Sequence, residues 1–191
     1  MSPALQPMQL VTPAAAHLPS YVAALERGWS ADTTRPTAGR EELDRIACDA
    51  ESFVAGQVDR EARGDPVTLP DGSKAARLPG YRLWMWDGEF CGSIGLRWQR
   101  GTEDLPAHVL GHIGYAVVPW KQRRGYATQA LRDMLPRARQ EGLAWVDLTT
   151  DPSNVASQRV IAANGGVLVE RFVKPPQYGG IEGLRFRIAL P

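Results

Sequence analysis

Apolar residues recur three and four apart between residues 40 and 63. Leu43, Ile46, Ala47, Ala50, Phe53, Val54 and Val58 fall on one stripe, which predicts a long helix with an acidic, solvated opposite face. A second stripe of Ala127, Ala130, Leu131, Met134, Leu135 and Ala138 predicts a helix over 126–141, kinked at Pro136 and stopped by Gly142. Shorter helices are expected over 20–29, burying Val22, Leu25 and Trp29, and over 153–163, closed by Asn164-Gly165-Gly166. Elsewhere the pattern alternates or runs apolar for a few residues, which predicts strands at 8–13, 81–86, 90–98, 112–118, 143–150, 167–173 and 184–190. Asp87-Gly88 suits a two-residue hairpin between the second and third of these. Alternation puts Trp84 and Trp86 on one face. Residues 64–80, with Pro66, Pro70, Pro79 and Asp71-Gly72, read as a loop, as does the polar stretch 99–110.

The resulting order is strand, two helices, three strands, helix, strand, helix, two strands. It describes an α/β (α+β) chain. At 191 residues a single domain spanning 1–191 is expected, with 1–80 as a helical start and loop and 81–191 as the sheet-bearing half. The formal charge of +1 gives no global attraction to nucleic acid or an anionic membrane. Charge is local instead: residues 26–65 carry ten acids and six bases, whereas 121–139 carry six bases and only Asp133 as an acid. Cys48 and Cys91 lie far apart without metal-ligand spacing, so no zinc site or disulfide framework is expected. Residues 1–17 show no basic segment followed by a long apolar run, and no apolar stretch approaches ~20 residues. The expectation is a cytoplasmic protein.

The chemistry gathers where the strand ending at Val118 meets the helix starting near Tyr126. A helix N-terminus offers backbone N–H groups without internal partners and a partial positive charge, so an anion is stabilised there. Gly125 permits the backbone angles of a tight anion nest, Arg123 and Arg124 add charge, and Ala127 allows close approach. Several phosphate cradles share this logic. Neither a Walker loop nor a GxGxxG fingerprint is present to choose among them.

Two spacings make the choice. Gln122, Gly125 and Ala127 match the pattern (Arg or Gln)-x-x-Gly-x-(Gly or Ala), and a strand at 145–150 is followed by Asn154-x-x-Ser157, a helix and Gly165-Gly166. In these features residues 81–173 resemble the GNAT superfamily of N-acetyltransferases. The phrases Gly111-His112-Ile113-Gly114-Tyr115, Arg124-Gly125-Tyr126-Ala127-Thr128 and Asn164-Gly165-Gly166 resemble one subgroup of it. The resemblance implies a mixed, mostly antiparallel sheet with helices on both faces, whose fourth and fifth strands (111–118 and 143–150) splay apart. It implies acetyl-CoA as co-substrate, no metal, and a small-molecule or peptide amine as acceptor, with a homodimer allowed. Pantetheine would lie in the splay against backbone groups of Val117 and Val118. The pyrophosphate would sit on Gln122, Arg123, Arg124, Gly125, Tyr126, Ala127 and Thr128. Asn154 and Ser157 would touch the pantetheine or adenosine end, although Asn154 also reads as a helix cap and Ser157 as a packed hydroxyl.

An alkyl amine with a pKa near ~10 must lose a proton to attack a thioester, and a histidine titrating near ~6.5 is a suitable acceptor. His112 stands where many superfamily members carry a base. A buried histidine holding a strand edge is the competing reading. His17 and His108 read as solvated, and Asp87, Glu89, Glu103 and Asp104 as loop carboxylates that could face a cationic acceptor. The sequence departs from the superfamily at Ile161, where many members place a tyrosine that protonates the leaving thiolate. Water could serve instead, since a thiolate leaves without much help, or Tyr115 or Tyr126 could replace it. The missing tyrosine also leaves open a non-catalytic acyl-CoA-binding module.

Overall fold

A computed structural model describes residues 7–190; the first six residues of the stretch read for a leader lie outside them. β1 (Gln9–Val11) precedes α1 (Leu18–Glu26), α2 (Ala38–Cys48) and α3 (Ala50–Ala55). Three short strands follow, β2 (Val58–Asp59), β3 (Val67–Thr68) and β4 (Lys74–Ala75). The long elements are then β5 (Gly80–Trp86), β6 (Phe90–Arg97), β7 (Ile113–Val117), α4 (Tyr126–Gln140), β8 (Trp145–Thr150), α5 (Val155–Ala162), β9 (Val167–Val173) and β10 (Glu182–Ala189).

β1 and β2 share one edge of β5, which continues through β6 to β7; β8, β10 and β9 form a second sheet with β10 in the middle. These ladders are antiparallel. β7 and β8 therefore end their two sheets side by side without a ladder between them, which is the expected splay. Helices cover both faces. Against one face Tyr21, Trp29, Phe53, Trp84 and Phe90 form an aromatic cluster, Tyr21 stacking on Trp84 with centroids 4.3 Å apart. Against the other, Leu131, Met134 and Ile161 pack on Ile94, Leu96, Val146, Leu148 and Ile188. Trp84 and Trp86 share the first face, as alternation predicts.

The helix expected over 40–63 is broken. Asp49 is extended (φ −155°, ψ 91°) and its side chain accepts from Ser52 N, so it caps a new helix that ends at Ala55. A short carboxylate that bonds its own backbone competes with helix propagation, and periodicity does not report that competition. The acidic face is not wholly solvated either. Glu42 is buried, accepting from Tyr21 Oη and Arg82 Nη1. The loop 64–80 contains the β3–β4 hairpin around Asp71-Gly72. The β5–β6 turn has three residues rather than two, because Trp86 pairs with Phe90 and Cys91 is accommodated as a bulge. α4 continues through Pro136.

Candidate active site

Beyond β7, a single 3₁₀ turn (Pro119–Lys121) delivers the chain to Gln122. Arg123 (φ 61°) and Gly125 (φ 81°) are both left-handed, and α4 begins at Tyr126. Among the described residues, none of the backbone N–H groups of residues 123–128 has an acceptor; the ladder resumes with Gln129 N–H donating to Gly125 O at 3.0 Å. Six successive amides without acceptors, at the positive end of a 15-residue helix, can receive an anion. Gln122, Arg123, Arg124 and Gly125 are exposed, and Tyr126, Ala127 and Thr128 partly so. A Cβ on Gly125 would meet nothing within 4 Å, so its left-handed backbone, not crowding, calls for glycine.

An L-residue held left-handed costs about 1–2 kcal/mol, so this turn needs outside support. Asp87 supplies it from the β5–β6 hairpin. Lys121, just before the turn, places Nζ 2.9 Å from both Asp87 oxygens and 2.6 Å from Glu89. Tyr126, just after it, donates to Asp87 Oδ2 at 2.6 Å. Burial raises the Asp87 pKa, but Tyr126 and Lys121 outweigh it and hold the carboxyl below the usual range. Asp87 therefore does not face an acceptor, and Tyr126 is already engaged. Beside them, burial pushes the Cys91 thiol up to about 12.

At the other end of β7, His112 is fully buried. Its backbone N–H donates to Asp147 O at 2.7 Å and its Nδ1 accepts from Asp147 N–H at 2.9 Å. The imidazole thus stands in for a ladder bond and joins β7 to β8 at the base of the splay. With Nδ1 accepting, the neutral ring carries its proton on Nε2, a nitrogen sealed from solvent. Burial holds the His112 pKa below its ordinary value. No lone pair is left for an incoming ammonium proton, so the geometry does not place His112 as a base. The other histidines differ from expectation as well: His17 packs against Trp86, with centroids 4.6 Å apart, and half-buried His108 contacts Ala76 O through Nε2 at 3.1 Å.

Both backbone groups of Val118 are used, its N–H by Cys91 O (2.9 Å) and its carbonyl by Lys121 N (3.0 Å). Successive strand residues turn these groups to opposite edges, so the Val117 groups face the gap. Asn154 caps α5, its Oδ1 accepting from Ser157 N at 3.0 Å. Ser157 Oγ lies 2.9 Å from Tyr115 Oη, linking α5 to β7 across the splay. Burial raises the Tyr115 pKa, and the phenol stays protonated. Ile161 is buried against the sheet and touches Gly166.

Beyond the His112 junction lies a cavity of about 390 Å³ whose lining includes Glu103, Asp104, Asp147 and Arg187. Asp147 is held bidentately by Arg187 (2.8 and 2.9 Å), and Glu103 accepts from Ala144 N, so of the loop carboxylates there only exposed Asp104 has an unengaged side chain among the described residues. No group of three or more His, Cys, Asp or Glu side chains arranged to hold a metal occurs among the described residues, and none of their helices is long and apolar enough to cross a membrane.

Solved structures share this fold. The microcin C7 self-immunity acetyltransferase MccE, in complex with acetyl-CoA and AMP, superposes with a TM-score of 0.63 at 12% identity, covering 95% of this chain and 92% of that one. The ribosomal L7/L12 alpha-N-protein acetyltransferase RimL, in complex with coenzyme A, gives 0.61 at 14% identity over 98% and 97%. YncA from Salmonella typhimurium, with acetyl-CoA, gives 0.58 at 12% identity over 98% and 95%. No curated protein matches the chain in sequence. A family model described as an acetyltransferase (GNAT) domain matches residues 15–167, and the chain belongs to that acetyltransferase family.

Proposed function

We propose that this protein transfers the acetyl group of acetyl-CoA to an amine, which attacks the thioester directly in a ternary complex. The observation that carries the reading is the row of six free amides at residues 123–128. The CoA pyrophosphate is an anion suited to such a row, and Gln122, Arg123 and Arg124 stand exposed around it. The acetyl-CoA and CoA complexes among the structural neighbours support the same ligand. Pantetheine would lie along the open edge of β7, with Val117 supplying backbone partners. Asn154 and Ser157, at the start of α5, close the opposite wall.

In this reading His112 is a positioning residue, keeping β7 and β8 together at their base so that the gap opens only beyond it. The ammonium proton of the acceptor passes to water entering the open side of the gap. A thiolate whose acid has a pKa near ~8.5 is a good leaving group, and in this reading its proton would come from water or from the Tyr115 phenol.

Ile161, buried where a tyrosine acid is expected, favours a second reading: an acyl-CoA-binding module without catalysis. The two separate on mixing protein, acetyl-CoA and an amine panel, with released thiol followed by colour and acetylated product by mass spectrometry. Amine-dependent thiol release with a matching product supports transfer. Tight acetyl-CoA binding without release supports the module.

A further inference from the structure

The face of β6 and β7 that α4 does not cover has an open floor. Arg82, Gly95 and Gly114 are register partners across β5, β6 and β7, so three neighbouring positions on this face carry only one side chain. Gly114 is exposed although it sits in the middle of its strand. Ile113, Tyr115 and Val117 turn the other way, toward the core shared with α4, so the open floor lies opposite that core.

The Arg97 guanidinium reaches over this floor. A Cβ on Gly114 would stand 3.2 Å from Arg97 Nη2, so glycine there makes room for the arginine. Arg97 has no carboxylate partner and no side-chain hydrogen bond among the described residues. The neighbouring cations do have partners: Arg82 holds Glu42 (3.2 Å), and Arg35 holds Asp32 (3.0 Å) and Glu41 (2.9 Å). Arg97 is exposed; partial desolvation by the surrounding protein together with the Arg82 charge lowers its pKa, against smaller opposing contributions from Tyr178 and Asp32. The guanidinium is therefore free to bind a ligand, and it lies over Gly114 of β7, the strand whose other edge borders the gap.

We infer that Arg97 grips an oxyanion of the acceptor, so the amine acetylated here bears a carboxylate or a phosphate. This rests on the acetyl-transfer reading above. α4 and α5 pack behind the sheet, so the acceptor meets the thioester from the Gly114 side, and an acceptor anion paired with Arg97 would fix its amine relative to the gap. A guanidinium presents parallel N–H donors that match both anions, so the geometry specifies the oxyanion and not its source.

The test measures kcat/KM on matched acceptors: amino acids against their amides, and phosphoethanolamine against ethanolamine. Wild-type protein is expected to favour one anionic set by about 10-fold or more, in line with the value of charged hydrogen bonds, and the favoured set identifies carboxylate or phosphate. Arg97→Gln should erase that preference while changing kcat/KM for the neutral acceptors less than about twofold, and Arg97→Lys should retain only part of it. Arg97→Gln should also melt no lower than wild type, because it removes an unpaired, partly desolvated charge next to Arg82. Acetylation without an anionic preference, or a preference that survives in Arg97→Gln, overturns the inference alone. Failure to acetylate any acceptor overturns it together with the reading of function.

Discussion

Replacing His112 with leucine separates its two readings. The substitution keeps most of the side-chain volume but removes Nδ1, leaving the buried Asp147 N–H without its 2.9 Å acceptor. An orphaned buried donor costs about 1–3 kcal/mol. For a chain of this size about 1 kcal/mol moves Tm by roughly 2–4 °C, so a fall of about 2–12 °C is expected in a calorimetric scan at pH 7.5. The pH dependence adds a second check. His112 has a lowered pKa in the folded state, so its neutral form is favoured on folding. The associated stability is fully present above the unfolded value near ~6.5 and is lost as pH falls from there through the folded pKa. His112→Leu should therefore flatten the stability profile below about pH 6.5, compared with wild type. Turnover per folded molecule should stay within a few-fold, with the acidic limb of its pH profile retained. An unchanged Tm combined with a loss of turnover of about 10²-fold or more, and a vanished acidic limb, would restore His112 as the base and refute the positioning argument.

Gly125→Val forces a branched residue into a backbone with φ 81° and should weaken acetyl-CoA binding at least tenfold in calorimetry on folded protein, whereas undiminished affinity would move the cofactor elsewhere. Ile161→Ala should lower stability by about 2–5 kcal/mol in urea titration with little change in activity per folded molecule; a large activity loss at unchanged stability would make this position part of the reaction centre. Asp87→Ala leaves the buried Lys121 with Glu89 alone and frees the Tyr126 hydroxyl, so a loss of about 1–3 kcal/mol is expected, accompanied by weaker acetyl-CoA binding. Unchanged stability would show that the clamp does not support the turn.

The parts of the fold that were legible in the sequence are those written in periodicity and in local backbone chemistry. The stripe from Ala127 to Ala138 and the alternation around Trp84 and Trp86 each report which face is buried, and the structure buries those faces. Gly125 at the end of Gln122-Arg123-Arg124 signals a left-handed position before a helix, and Gly125 is left-handed immediately before α4. Side-chain partnerships made over long sequence separation were not legible. Glu42 looks like one more acid on a wet face until Tyr21 and Arg82 arrive from α1 and β5. Asp87 looks like a hairpin residue until Lys121 and Tyr126 close on it from 34 and 39 residues away. His112 is chemically suited to take a proton, and only the position of Asp147 N–H shows that its lone pair is already used. The break at Asp49 is the local exception, since an aspartate three residues before a serine was a cap signal inside an otherwise helical stripe.

The account's central claim is that the free amides of residues 123–128 receive the phosphates of acetyl-CoA. Backbone ¹⁵N chemical-shift mapping during an acetyl-CoA titration tests it most directly. The expected result is saturable shifts at the amides of residues 123–128, with Gln129, whose N–H is already bonded to Gly125 O, moving less. Saturable binding that leaves those six amides unmoved and shifts residues elsewhere would contradict the claim.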